Sequence, residues 1–188
     1  VVFYHNIQVL VKTITGRDNQ ESGFTLIEMM TVLFIMAMIS GLVFANYRSG
    51  NQQFALENQA YSLAQDLRKV QEMAMSSKEV GGVEPAGYGI YFEEGGLGYK
   101  VYADVSSPQN NQYDVADYTV EDVAFARYIY ILSSIPNELS VNYSPPEPVT
   151  TLTGTGGEVA QATIVLGMQG TTLTRTIVVN RGGLIYVQ

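Results

Sequence analysis

An α+β fold follows from two changes of hydrophobic pattern along the chain. Phe24 to Ala45 is apolar and holds a single charge, Glu28, and Leu56 to Ala74 then repeats apolar residues at helical spacing. From Tyr88 onward, short apolar and aromatic runs alternate with polar residues between glycine-rich turns. These observations predict a long N-terminal helix, apolar in its first half and amphipathic in its second, packed on a C-terminal antiparallel β domain.

Residues 24–47 form the first half. As a helix they measure about 36 Å at 1.5 Å per residue, enough to cross a bilayer once. Residues 48–80 form the second. Leu56, Ala60, Leu63, Leu67, Val70 and Ala74 step by four and three alternately, which places them on one stripe. Gln65, Asp66, Arg68, Lys69 and Glu72 occupy the other face, with Arg68 and Glu72 one turn apart. The stripe needs a cover, and the following sheet is the expected one, in preference to a coiled-coil partner. The helix is expected to stop near Lys78, ahead of Gly81-Gly82 and Pro85. Gly41, Ser49 and Gly50 are its weak points.

Residues 81–188 read as strands. Tyr88–Phe92 and Tyr99–Ala103 flank Glu93-Glu94-Gly95-Gly96 as a hairpin, followed by strands at Arg127–Leu132 and Leu139–Tyr143. The closing strands are expected at Ala162–Leu166, Thr172–Val179 and Leu184–Val187. Loops are expected from about Val105 to Asp122, where Ser-Ser-Pro-Gln-Asn-Asn precedes a cluster of acids, and from Ser144 to Gly157. Tyr88, Tyr91, Tyr99, Tyr102, Tyr128 and Tyr130 are expected to serve a core on one sheet face.

Composition restricts the chemistry. The chain has 188 residues, a net charge of −8 and no cysteine. The acidic surface repels phosphate backbones, so nucleic acid is a disfavoured partner, and only Lys100, Arg127, Arg175 and Arg181 lie in the strand region. The one histidine, His5, precedes the apolar run. Ser76, Ser77 and Lys78 suit a solvated helix end better than a Ser-Lys catalytic pair. Asp114, Asp117, Glu121 and Asp122 match no EF-hand spacing and read as a solvated acidic loop. We therefore expect no enzyme, no catalytic residue, no metal site and no cofactor.

Gly23-Phe24-Thr25-Leu26-Ile27-Glu28 heads the apolar run. A membrane span needs neither a small residue before it nor an acid inside it. A charge at the bilayer centre costs about 2.5–3.5 kcal/mol on insertion scales, so Glu28 calls for a named partner, and an amine is the obvious one. An ordinary signal anchor could keep Glu28 near the headgroups, but it leaves the coincidence of Gly23, Phe24 and Glu28 unexplained.

These residues resemble the cleavage and assembly signature of the type IV pilin superfamily, over roughly residues 23–47. The resemblance implies a leader peptide at residues 1–23, cut after Gly23 by a prepilin peptidase, and N-methylation of Phe24. It also implies a filament in which Glu28 answers the amino terminus of a neighbouring subunit. The leader would carry both His5 and the apolar residues Val1, Val2, Phe3, Ile7, Val9, Leu10 and Val11. Val1 in place of Met is read as an alternative start codon or a start placed too far upstream. Family members often have a Pro where this chain has Ala45.

The order of helix, hairpin beginning Gly87-Tyr88-Gly89-Ile90 and terminal strands is similar to that of the H-type minor pseudopilins of type II secretion and related minor type IV pilins. That similarity implies two small sheets packed on the helix. It implies other pilin or pseudopilin subunits and an inner-membrane assembly platform as partners. The protein would be a single-pass inner (cytoplasmic) membrane protein with an extracytoplasmic C-terminal domain, later part of a pilus or pseudopilus. Two alternatives remain: a minor pilin that binds a ligand in DNA uptake or adhesion, and a plain single-span anchor whose Gly23 stays uncut.

Overall fold

The computed structural model describes residues 23–76, 79–146 and 149–188, without the side chains of residues 45, 46, 48 and 49. The expected leader up to residue 22, with His5, lies outside the described residues, as do Ser77 and Lys78. The polypeptide divides into two compact units between Asn46 and Tyr47.

Helix α1 runs Leu26–Met75. In the first unit, every described residue from Gly23 to Phe44 is exposed, and Leu26–Phe44 is long and apolar enough to cross a membrane. In the second unit, all six residues of the stripe are at most 1% exposed, and Ala64 joins them. The helix ends at Met75 rather than near Lys78. There the Ser76 N–H donates to the carbonyls of Glu72 and Met73, and its hydroxyl donates to Met73 as well, so the last turn is closed locally. Gly81 and Gly82, both at positive φ, then turn the chain between Val80 and Val83.

Among the described residues ten strands follow: β1 Tyr88–Phe92, β2 Gly98–Ala103, β3 Tyr118–Ala124, β4 Ile129–Ile135 and β5 Leu139–Ser144. The rest are β6 Val149–Gly154, β7 Gly157–Glu158, β8 Gln161–Met168, β9 Thr174–Asn180 and β10 Ile185–Val187. They form two antiparallel sheets, a six-stranded one ordered β3-β2-β1-β5-β6-β7 and a four-stranded one ordered β10-β9-β8-β4. The α+β architecture with two sheets is as expected.

Three segments differ from the sequence reading. The loop expected as far as Asp122 ends at Asp117, because Tyr118–Ala124 pairs with β2 as an edge strand. Being at an edge, β3 is mostly exposed and shows no apolar alternation. The loop expected from Ser144 to Gly157 contains β6 and β7, since threonine is β-branched and fits a pleated surface, and Thr150, Leu152 and Thr153 are buried. The strand expected from Arg127 begins at Ile129, because Tyr128 sits at φ 72°, which extended structure excludes.

One face of each sheet meets the stripe. Ile90, Phe92, Val101, Leu139 and Val141 of the larger sheet, and Ile131, Ile164, Leu166, Ile177 and Val179 of the smaller, share one buried cluster with Leu56, Leu63, Leu67 and Val70. Fully burying such a side chain stabilises by about 1.5–3 kcal/mol. Backbone bonds tie the sheets at the β1–β2 turn, where the Gly95 N–H donates to Ile131 and the Ile131 N–H donates to Gly96, each at 2.9 Å. Polar contacts rim the helix: Lys69 pairs with Glu121 at 3.3 Å and Arg175 with Glu57 at 3.8 Å. Arg68 donates to the Ile185 carbonyl rather than pairing with Glu72.

Candidate functional site

The N-terminal signature is built around a helix start. Thr25 precedes α1, and its hydroxyl oxygen accepts a hydrogen bond from the Glu28 N–H at 3.2 Å, while its carbonyl accepts from the Met29 N–H. Thr25 is therefore the N-cap and Glu28 stands three residues into the helix, the spacing of a capping box. An acid in the first turn is also favoured by the positive end of the helix dipole. Sequence reasoning passed over this local role, although Thr-x-x-Glu before an apolar run is its recognised signal.

Gly23 lies in open space, with nothing within 4 Å of where a β-carbon would stand, and Phe24 is 78% exposed. Among the described residues, no ion pair includes Glu28. The three residues thus sit together, accessible, at the head of an exposed apolar helix. A peptidase could reach the Gly23–Phe24 bond, and the Glu28 carboxylate is free to meet a cation from outside the chain.

The second polar centre is the outer face of the larger sheet. Side chains from Tyr91, Tyr102, Ser140 and Asn142 lie on the face opposite the helix, as strand alternation and the β1–β2 and β1–β5 registers dictate. The segment from Asp104 to Asp117 covers them. Tyr113 stacks on Tyr91 with ring centroids 4.6 Å apart, meets Tyr102 edge-on at 5.4 Å and lies under the Lys100 ammonium. Its N–H donates to Ser140 Oγ.

Buried acids fold that segment. Asp104 Oδ2 accepts from the N–H groups of Asn110 and Asn111, and Asp117 accepts from those of Val105, Ser106 and Asp114. Asp104 is fully buried and its Oδ1 has no partner. Burial raises its carboxyl above the ordinary range, the Asn111 bond opposes this, and the negative charge of Asp117 adds to it. The expected solvated acidic loop is corrected accordingly: Asp117 is buried and Asp114 half-buried, whereas Glu121 and Asp122 are exposed on β3. Among the described residues, no group of three or more His, Cys, Asp or Glu could hold a metal ion.

The tyrosines divide between surfaces rather than serving one core. Tyr88 and Tyr99 belong to the core against the helix, Tyr102 is buried on the opposite face, Tyr91 and Tyr130 are half-buried, and Tyr128 is 55% exposed.

Residues 18–44 match a family model described as the prokaryotic N-terminal methylation motif. The matched stretch includes Gly23, Phe24 and Glu28 and ends at Phe44, where the apolar candidate span also ends. No curated protein and no solved structure matches the chain. With this motif and an apolar N-terminal helix, the chain is type IV pilin-like at its N-terminus, of the kind that a prepilin peptidase processes and that assembles with pilin subunits.

Proposed function

We propose that the chain is a minor pilin or pseudopilin, a non-enzymatic structural subunit cut after Gly23 and methylated at Phe24. The observation that carries this reading is the methylation motif set on the exposed apolar stretch Leu26–Phe44 of the helix. In water such a surface would be a liability, and a bilayer followed by a filament core accounts for it in two successive environments. Assembly is the mechanism. The apolar helix packs among its copies, Glu28 pairs with a neighbour's amino terminus and sets axial register, and the acidic β domain remains outside. In an apolar core each of those charges is costly alone, and the pair neutralises both. The inner-membrane platform that would lift the subunit is part of the same proposal.

Co-expression with an active prepilin peptidase tests the first step. Intact-mass analysis should show loss of residues 1–23 and a chain beginning at Phe24, and Gly23→Val should block it. A wild-type chain that stays uncut beside an active peptidase would instead identify a plain membrane anchor.

A further inference from the structure

The start of β5, the end of β6 and the 104–117 segment border a cavity of about 360 Å³ on the outer face of the larger sheet. That volume lies in the range of small-molecule sites. The stacked rings of Tyr91 and Tyr113 form an aromatic wall, and the other side chains that define its chemistry are Gln112, Glu138, Ser140 and Thr153.

Two of these are in unusual states. Thr153 is 2% exposed and its Oγ1 has no hydrogen-bond partner, although buried hydroxyls ordinarily have one. Glu138 sits at φ 51°, a left-handed conformation uncommon outside glycine and one that recurs at ligand clamps. Its Oε2 accepts a hydrogen bond from the Thr155 hydroxyl at 3.2 Å, which leaves acceptor capacity on the carboxylate. Ser140 Oγ accepts from the Tyr113 N–H and is also hydrogen-bonded to the Tyr102 hydroxyl, so it serves the cover rather than a ligand.

The lining selects a ligand by chemistry. Among the described residues its lining has no lysine or arginine, the nearby Lys100 ammonium lies over the Tyr113 ring, and Glu138 repels a phosphate or carboxylate. Its hydroxyl, amide and carboxylate groups suit a ligand rich in groups that both donate and accept, and they would be left unpaired by an acyl chain. A pyranose offers such hydroxyls around its rim, and its C–H groups are attracted to the negative face of a tyrosine ring. We propose that this pocket binds a neutral saccharide, through Thr153, Glu138 and Gln112 to the hydroxyls and the Tyr91–Tyr113 wall to the ring. The proposal is independent of processing and filament assembly.

Saturation-transfer NMR on the full chain, held in a detergent without a sugar headgroup, tests it. The probes are glucose, galactose, mannose, N-acetylglucosamine and cellobiose, with tetramethylammonium as the alternative an acid beside aromatic rings could hold. Transfer to at least one sugar is expected. Thr153→Val keeps the side-chain shape and removes only an unpartnered hydroxyl, so it should leave the melting temperature unchanged or higher while weakening that sugar about tenfold. Glu138→Gln should weaken it as well. The proposal is overturned by absence of transfer to every sugar, by unchanged sugar binding in both variants, or by transfer to tetramethylammonium alone.

Discussion

The Tyr99 hydroxyl donates a hydrogen bond to Asp66 Oδ2, which joins the polar flank of α1 to strand β2. Tyr99 is 2% exposed, between Phe92 and Phe125 at ring separations of 5.8 and 5.6 Å. Burial, the bond to Asp66 and that carboxylate's charge together push the phenol far above its ordinary value, so it stays a donor at every physiological pH. Tyr99→Phe preserves the ring packing and removes the donor to a half-buried carboxylate. We expect a loss of about 1.5–3 kcal/mol, the range for hydrogen bonds to charged groups, measured by urea unfolding followed by circular dichroism.

Gly89 lies across from Tyr102 in the β1–β2 register, and an added β-carbon would stand 2.5 Å from Tyr102 Cζ. The ring occupies the space a side chain would take. Gly89→Ala should therefore displace Tyr102 from Asn142 and cost about 1–3 kcal/mol. Combined with Tyr102→Ala, its cost should be much smaller, a non-additivity that a double-mutant cycle on melting temperature would read.

Asp104→Asn should stabilise the protein in a pH-dependent way. Below the ordinary carboxylate value of 3.8 the wild-type side chain is protonated in folded and unfolded chains alike, so the two proteins should melt together. As pH rises, the unfolded chain ionises first, and the folded state must then either hold its proton or accept a buried charge. Stability relative to the Asn variant is lost through the raised folded value and levels off above it. Melting curves of both proteins across that window check the sign. A gap that shrinks with rising pH would show that the Asn110 and Asn111 donors outweigh desolvation.

Glu28→Gln should leave processing and membrane insertion intact and reduce incorporation into filaments several-fold. Glutamine also serves at the third position of a capping box, so the start of α1 is preserved and only the charge is lost. The variant is also cheaper to hold in the bilayer. Fractionation and blotting in the native host, with any endogenous copy deleted, should show processed subunit retained in the membrane. Equal amounts of variant and wild type in sheared filaments would show that the Glu28 charge does not govern assembly.

What was legible in advance follows from where each residue meets the core. The stripe from Leu56 to Ala74 declared itself because a helix with one buried face must repeat at its own period, and β1 and β2 did so because Gly95-Gly96 punctuates two aromatic runs. Strand β3 was hidden because an edge strand leaves Glu121 and Asp122 in water, which mimics a loop. Strand β6 was hidden because its buried positions include Thr150 and Thr153, whose hydroxyls read as polar. Gly23, Phe24 and Glu28 stood out through an acid in an apolar run, whereas Thr25 was overlooked because its bond is purely local. The pocket had no linear signal, since Tyr91, Gln112, Glu138 and Thr153 come from four separate stretches.

The covering segment between Asp104 and Asp117 is fastened by its two terminal acids, and Tyr113 is its one aromatic plug. Ser107, Pro108 and Gln109 at its crest are exposed, and none of them takes part in a described hydrogen bond with the sheet. Anchoring and crest are thus structurally separable. Substitutions at Ser107 or Gln109 should therefore leave the fastening acids and the plug in place and carry little folding risk.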